Sequence, residues 1–213
     1  MKTKAHIIYR HDGKRVPGAT TIIGLRAKPG LIKWANKLGL QGIDSTSYTD
    51  DKAQIGTLAH DMILSHFKGV EADTSDYSQN QIDAAENSLL SFFEWEKDKD
   101  IEVMLAEKPL TSDKGYGGTP DLYGKIDGVL TMVDFKTGSG IYEPEHPAQL
   151  AAYIGLLLDN GYSCEQGIIL NIPRAENENF DARTYRDFSL HYAWFETLLK
   201  LYNIEKELKK EVT

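Results

Sequence analysis

Gly115-Tyr-Gly-Gly-Thr-Pro-Asp121-Leu-Tyr-Gly-Lys-Ile-Asp127-Gly128-Val-Leu-Thr-Met-Val-Asp134-Phe-Lys136 is the stretch from which the fold is read. It begins glycine-rich, passes through a strand-like segment and reaches Asp127-Gly128, a dipeptide favoured in two-residue hairpin turns. Val129-Leu-Thr-Met-Val133 follows, an apolar run with β-branched residues and turn residues on its flank, which is a buried-strand pattern. Pairing a strand near 116–126 with one near 129–136 brings Asp121 and Asp134 towards one edge of a sheet. Asp134 and Lys136, with one residue between them, point to the same face. Asp127 is explained by the turn itself.

The bare pattern of an acid, any residue and then lysine is not informative alone. It occurs at Asp12–Lys14, Asp50–Lys52, Asp134–Lys136 and Glu207–Lys209. Only the Asp134 copy ends a core-strand pattern, and the others read as surface charges. Downstream, Gln149-Leu-Ala-Ala-Tyr153 lies in a helical segment. Its four-residue spacing stacks the glutamine and the tyrosine on one face.

Two carboxylates, a lysine and these helical polar groups suggest a chemistry. Hard divalent cations prefer carboxylate oxygens, and a bound metal ion lowers the pKa of water towards neutrality. The expected site is therefore one for metal-dependent phosphodiester hydrolysis.

These residues resemble the PD-(D/E)XK nuclease superfamily, specifically its RecB-like exonuclease branch, which includes phage exonucleases and the mitochondrial genome maintenance exonuclease. Pro120-Asp121 matches the first motif, and Asp134-Phe135-Lys136 the second acid and the lysine. Gln149 to Tyr153 matches the glutamine-and-tyrosine motif, and Gly56-Thr-Leu-Ala-His60 the helix-borne histidine. Val16-Pro-Gly-Ala-Thr-Thr-Ile-Ile23 and Leu31-Ile-Lys-Trp-Ala35 resemble the lead-in of phage and mitochondrial members. The likeness runs in order from about residue 16 to 160.

The resemblance implies an α/β, restriction-endonuclease-like core: a central mixed β-sheet flanked by helices, with an N-terminal helical elaboration. It implies that His60, Asp121, Asp134 and the main-chain carbonyl of Phe135 bind Mg²⁺ or Mn²⁺. Lys136 would polarise the attacking water and neutralise phosphate charge, while Gln149 and Tyr153 orient the backbone or the active-site groups. Glu107 is a candidate accessory acid, set against the plain reading of a solvated strand-end glutamate. Some relatives hold an iron–sulfur cluster through four cysteines; this chain has one, Cys164, so no such cluster is expected. Cys164 reads as a small buried hydrophobe, and a single thiol suits a reducing compartment.

The expected activity is DNA exonuclease action on single-stranded or duplex ends in recombination, repair or replication. A structure-specific flap endonuclease and a non-cleaving DNA-binding recombination subunit are the alternatives. A recombination or single-strand-binding protein is a compatible partner, as is a homo-oligomer.

Charge is divided unevenly. The 213 residues carry a net charge of −8, yet residues 1–40 hold nine Lys or Arg against the single acid Asp12. The rest carry 15 bases and 31 acids. A basic N-terminal region suggests a phosphate-binding surface, with Arg10, Lys14, Arg15, Arg26, Lys28, Lys33 and Lys37 as candidates. Tyr9 is a candidate for stacking on unpaired bases. Trp34, at helical spacing among apolar residues, reads as core. His6, His11, His66 and His191 carry no motif, and His146-Pro147 reads as the start of a helix.

One domain over residues 1–213 is expected: a basic segment and helices over 1–100, a catalytic core over 101–175 and a C-terminal helix over 176–213. No apolar run approaches the ~20 residues that span a membrane. The N-terminus lacks a signal-peptide core, so a soluble protein of a bacterial or phage-infected cytoplasm is expected. Helices are predicted near 29–39, 50–67, 76–98, 146–159 and 188–210. Strands are predicted near 101–110, 116–126, 129–136 and 166–172, after a short N-terminal hairpin. The last helix, with Trp194, Phe195, Leu198, Leu199, Tyr202 and Ile204 at helical spacing, is expected to pack on the core or a partner.

Overall fold

The computed structural model describes residues 7–211, so His6 lies outside the described residues. The chain opens with a two-strand ribbon, β1 (Arg10–His11) against β2 (Lys14–Arg15), followed by the short helix α1 (Ala19–Ile23). Helix α2 (Pro29–Leu40) begins with proline at its first turn, where a missing N–H costs nothing. Helix α3 (Ser45–Lys68) is capped by Asp44, whose carboxylate accepts the amides of Thr46 and Ser47 at 2.8 and 3.4 Å. It stops at Gly69 in the left-handed conformation, φ 65°. Helix α4 (Gln79–Glu96) starts in a capping box in which Gln81 Oε1 accepts from the Ser78 backbone N–H at 3.0 Å.

Strand β3 (Ile101–Ala106) comes next, and a small ribbon follows of β4 (Leu110–Ser112) with β5 (Tyr116–Gly118). Strands β6 (Leu122–Ile126) and β7 (Val129–Lys136) form the hairpin around Asp127-Gly128, at φ 53° and 82°. Both values lie in the region that this tight turn requires. Helix α5 (Glu145–Asp159) crosses to β8 (Gln166–Asn171), parallel to β7, and β9 (Asp181–Tyr185) forms the far edge. Helix α6 (Ser189–Glu211) ends the described chain.

The main sheet has the order β3-β6-β7-β8-β9 and is mixed, with β7–β8 the parallel pair. Its residues alternate between two apolar layers. Tyr123, Met132 and Ile169 face α1, α5 and α6, where they meet Leu150, Ile154 and Phe195. Leu122, Val133, Phe135 and Leu170 face the other way, against Ile63 of α3 and Phe92 of α4. The protein is therefore an α/β fold with a mixed sheet covered by helices on both faces.

Two expected strands are divided. The 101–110 segment ends at Ala106, and Glu107 turns the chain at φ 46° before β4. The 116–126 segment is broken at Thr119-Pro120-Asp121 between β5 and β6, where proline has no N–H to offer a ladder. Helix α1 and strand β9 were not predicted. β9 reads Asp-Ala-Arg-Thr-Tyr and has no buried residue, so it lacks the apolar alternation that marks strands. Trp34 is a correction: α2 buries no residue, and Trp34 is 37% exposed. Its apolar spacing is real but faces outward.

Candidate active site

The break in the chain between β5 and β6 sets the site. Leu122 pairs with Val133, so the preceding Asp121 comes opposite Asp134 at the end of the β6–β7 ladder. Asp121 Oδ2 accepts the backbone N–H of Phe135 at 2.8 Å. Asp134 is fully buried and Lys136 points to the same side, its Nζ 2.6 Å from Asp134 Oδ2. That contact is an ion pair whose angle makes no hydrogen bond, so Oδ2 is a buried oxygen without a hydrogen-bond partner.

Helix α5 adds its polar pair from the adjoining face. Gln149 Oε1 accepts from Lys136 Nζ at 3.2 Å, and Gln149 Nε2 donates to Tyr153 Oη at 3.0 Å and to Asp134 Oδ1 at 3.5 Å. Tyr153 sits where it does because Gly118 leaves room: a Cβ at residue 118 would lie 2.6 Å from Tyr153 Cε1. Helix α3 approaches from the other side. A Cβ at Gly56 would lie 2.6 Å from Thr137 Oγ1, so the glycine lets the helix close on the end of β7. One turn later His60 places Nδ1 3.6 Å from Asp121 Oδ1 and its ring edge-on to Phe135.

The electrostatics separate the two carboxyl groups. Burial pushes Asp134 up to about 6, against the opposing pull of the Lys136 ammonium and with the charge of Asp121 adding to the rise. Burial would raise Asp121 as well, but His60, Lys136 and the Phe135 amide hold it below the ordinary carboxylate range. His60 is raised because Asp121 outweighs the effect of its burial. Tyr153 is held well above the ordinary phenol value by burial and then by Asp134 and Asp121, so it stays protonated.

Carboxylate oxygens from Asp121 and Asp134, the latter's buried Oδ2 without a hydrogen-bond partner, and an imidazole from His60 form a donor set that suits a divalent cation. As the side chains stand, no three His, Cys, Asp or Glu side chains among the described residues converge on one ion position. The fit is that of an ion held by one or two carboxylates, with the remaining positions left to water and substrate oxygen, as magnesium prefers.

The other candidates are spread more widely. The Glu107 amide donates to the Asp121 carbonyl at 3.0 Å, and both residues line one cleft. Arg15 lines that cleft too. Arg26 is engaged by Glu145 at 3.3 Å and lies over the Trp194 ring at 5.9 Å. Lys28, Lys33 and Lys37 are exposed on and before α2, while Lys14 and Arg10 are exposed on the ribbon. Tyr9 is not available for stacking as it stands: its ring packs on Gly117 and its hydroxyl is 2.9 Å from Thr119 Oγ1.

Two residues near the site do more than their sequence shows: His146 reads there only as a helix start, and Asn171 is not singled out. His146 is pushed down to about 3 by burial and then by the charges of Lys136 and Lys28, so it is neutral, and Nδ1 accepts the Tyr142 amide at 3.2 Å. Asn171 is fully buried and pairs in register with Lys136. Its Nδ2 ties Gly138 O to Asn179 O, and its Oδ1 has no hydrogen-bond partner. The available signal was a lone amide in the apolar run Gly167-Ile-Ile-Leu-Asn-Ile172. Cys164 is half-buried against the core, and burial raises its thiol to about 11.

No known family profile and no curated protein sequence matches the chain. Among solved structures it is similar to an alkaline exonuclease, LHK-Exo, from Laribacter hongkongensis, at 11% identity and TM-score 0.47, over 92% of this chain and 89% of that one. The complex of LHK-Exo with dAMP gives 12% identity and TM-score 0.48, over 92% and 90%. With likeness this slight, the functional reading rests on the geometry of the site.

Proposed function

We propose that this protein hydrolyses DNA phosphodiester bonds from strand ends with the help of Mg²⁺ or Mn²⁺. One observation carries the reading: Asp134, Lys136, Gln149 and Tyr153 are joined by hydrogen bonds and an ion pair at one sheet end, and Asp121, tied to the Phe135 amide and paired with His60, stands opposite Asp134. Four separate segments deliver these groups, and a purely structural role would not call for a buried carboxyl group facing a second, partly exposed one.

Asp121 and Asp134, with His60 and the Phe135 carbonyl beside them, would hold the cation, which when bound would supply Lewis acidity and lower the pKa of water. The chain's own groups do the rest. Lys136 places a fixed positive charge where negative charge builds on the phosphoryl oxygens. Gln149 steers it by accepting a hydrogen bond from its ammonium group. Tyr153 accepts from Gln149 and keeps its own O–H proton, leaving a donor for a phosphate oxygen. His60 pairs with Asp121 and fixes which carboxylate oxygen faces the site.

That no three donor side chains converge among the described residues favours a second reading, a DNA-binding recombination subunit that does not cleave. Incubation with 5′- and 3′-labelled single- and double-stranded DNA, in Mg²⁺, Mn²⁺ or EDTA, separates the two. Metal-dependent loss of label by the wild type and not by Lys136→Ala supports cleavage. Intact DNA in every lane, with a gel shift still present, supports the second reading.

A further inference from the structure

A cleft of about 630 Å³ opens beside Asp121, between the β1–β2 ribbon, the start of α1 and helix α6. We propose that it seats a short stretch of single-stranded DNA next to the bond to be cut, with Arg15 and Lys206 on its phosphates. This rests on the nuclease reading above and adds to it a strand preference and a substrate contact from the C-terminal helix.

The walls come from distant parts of the chain. Thr119 and Asp121 flank Pro120 at the break between β5 and β6, and both face the cleft. Tyr9, fastened to Thr119 by its hydroxyl, forms the side next to the ribbon. Tyr202 and Lys206, one helical turn apart on α6, form the opposite contribution. Arg15 and Lys206 are exposed, and neither makes an ion pair with a described residue, although acids are abundant in this chain. By contrast Arg26, Lys114, Lys125 and Arg183 are all occupied by carboxylates. Two cations outside any ion pair with a described residue, beside the Asp121 carboxylate, suit phosphates that arrive from outside. The volume falls in the range of about 300–1,000 Å³ found for small-ligand sites, room for a length of one strand and not for a duplex. Glu107 and Asp121 line the same space, so the strand's negative charge is tolerated there only with both cations in place or a divalent ion beside the acids.

The test is the salt dependence of DNA binding by the full chain. Fluorescence anisotropy with a labelled oligothymidylate and a duplex of equal length, both in EDTA, would compare wild type with Arg15→Ala/Lys206→Ala. Each lost phosphate contact on a single strand makes the slope of log K against log salt shallower by about 0.7. The double variant is expected to lose about 1.4 from its single-strand slope and leave the duplex slope unchanged, with an unaltered melting temperature. A control pair, Lys68→Ala/Lys200→Ala, removes two exposed cations that do not line the cleft and should change neither slope. Unchanged single-strand binding, or equal losses on single strand and duplex, would overturn the proposal while leaving the nuclease reading intact if the wild type still cleaves. A wild type that neither binds nor cleaves any DNA would sink both together.

Discussion

Asp121 Oδ2 accepts the backbone N–H of Phe135 at 2.8 Å, which fixes a carboxylate at the end of β6 directly opposite Asp134 on β7. One oxygen of Asp121 is thus held by main chain, while the other faces the His60 ring. Asp121→Asn keeps an acceptor oxygen for that amide and removes only the charge. Its melting temperature should stay close to wild type while cleavage falls at least about 10²-fold, the scale of losing one electrostatic contact to a transition state. A large loss of thermal stability would show that Asp121 is structural.

Tyr153 receives a hydrogen bond from Gln149 and remains protonated because of burial and the nearby carboxylates. Tyr153→Phe preserves the ring that packs on Gly118 and deletes one donor. The expected result is a fall in kcat on the order of 10²-fold with little change in KM. Single-turnover cleavage of a labelled oligonucleotide would measure it, and a change confined to KM would assign Tyr153 to ground-state binding instead.

The two raised groups give the metal-free protein a pH dependence. Asp134 titrates near 6 when folded and near the ordinary carboxylate value when unfolded, so between those values the folded state binds more protons and stability falls as pH rises. His60, also raised, contributes stability at low pH that is lost as pH climbs through its folded value above 6.5. Asp121, lowered, acts in the opposite sense and loses its contribution only in stronger acid. His146, pushed down to about 3, opposes the raised pair by gaining stability with pH up to about 6.5. In EDTA the melting temperature should therefore decline only from about pH 6.5 to pH 8, where His60 dominates. Metal binding needs these groups deprotonated, so Mn²⁺ should raise the melting temperature more at pH 8 than at pH 5. An equal rise at both values would count against ion binding by Asp134.

The hairpin, the facing carboxylates and the Gln149–Tyr153 pair were legible because each depends on short-range spacing: a turn dipeptide, a strand period of two, a helical step of four. The strand breaks were harder. Pro120 sits inside the motif that drew attention to Asp121, yet its lack of an N–H is what ends β5 and frees Asp121 to face the site. Strand β9 and the α6 side of the cleft left no trace because their placement depends on distant neighbours. Lys206 lies 85 residues from Asp121 in sequence, within a run that reads as a solvated helix end.

Trp34 is where sequence pattern and structure part, and the difference is testable. Its ring lies edge-on to Tyr48 at 5.9 Å, on a helix whose neighbours Leu31 and Ile32 are exposed by 55% and 75%. Trp34→Ala should shift folding stability by no more than about 0.5 kcal/mol, as for other surface positions. With Lys33 and Lys37 on the same helix, the exposed ring is suited to a base, and stacking is worth roughly 1–3 kcal/mol. Affinity for single-stranded DNA should fall accordingly in a fluorescence titration; a drop in melting temperature with unchanged affinity would return Trp34 to the core.

Gly118 supports the site without touching substrate. A methyl group there would come within 2.6 Å of Tyr153 Cε1 and 2.9 Å of Leu156 Cδ1, both on the buried face of α5. Neither ring nor leucine can retreat, since both are packed in the core. Gly118→Ala should cost about 1–3 kcal/mol of stability by overpacking, read from denaturant unfolding. It should also move Tyr153 and with it Gln149, so kcat should fall even at temperatures where the variant is fully folded. Gly115→Ala is the comparison: nothing lies within 4 Å of a Cβ there, but φ is 85°. That variant should lose stability through backbone strain while the folded fraction cleaves at the wild-type rate. Equal catalytic damage from both substitutions would mean that the β5 ribbon, and not the fit of Tyr153 against Gly118, controls the site.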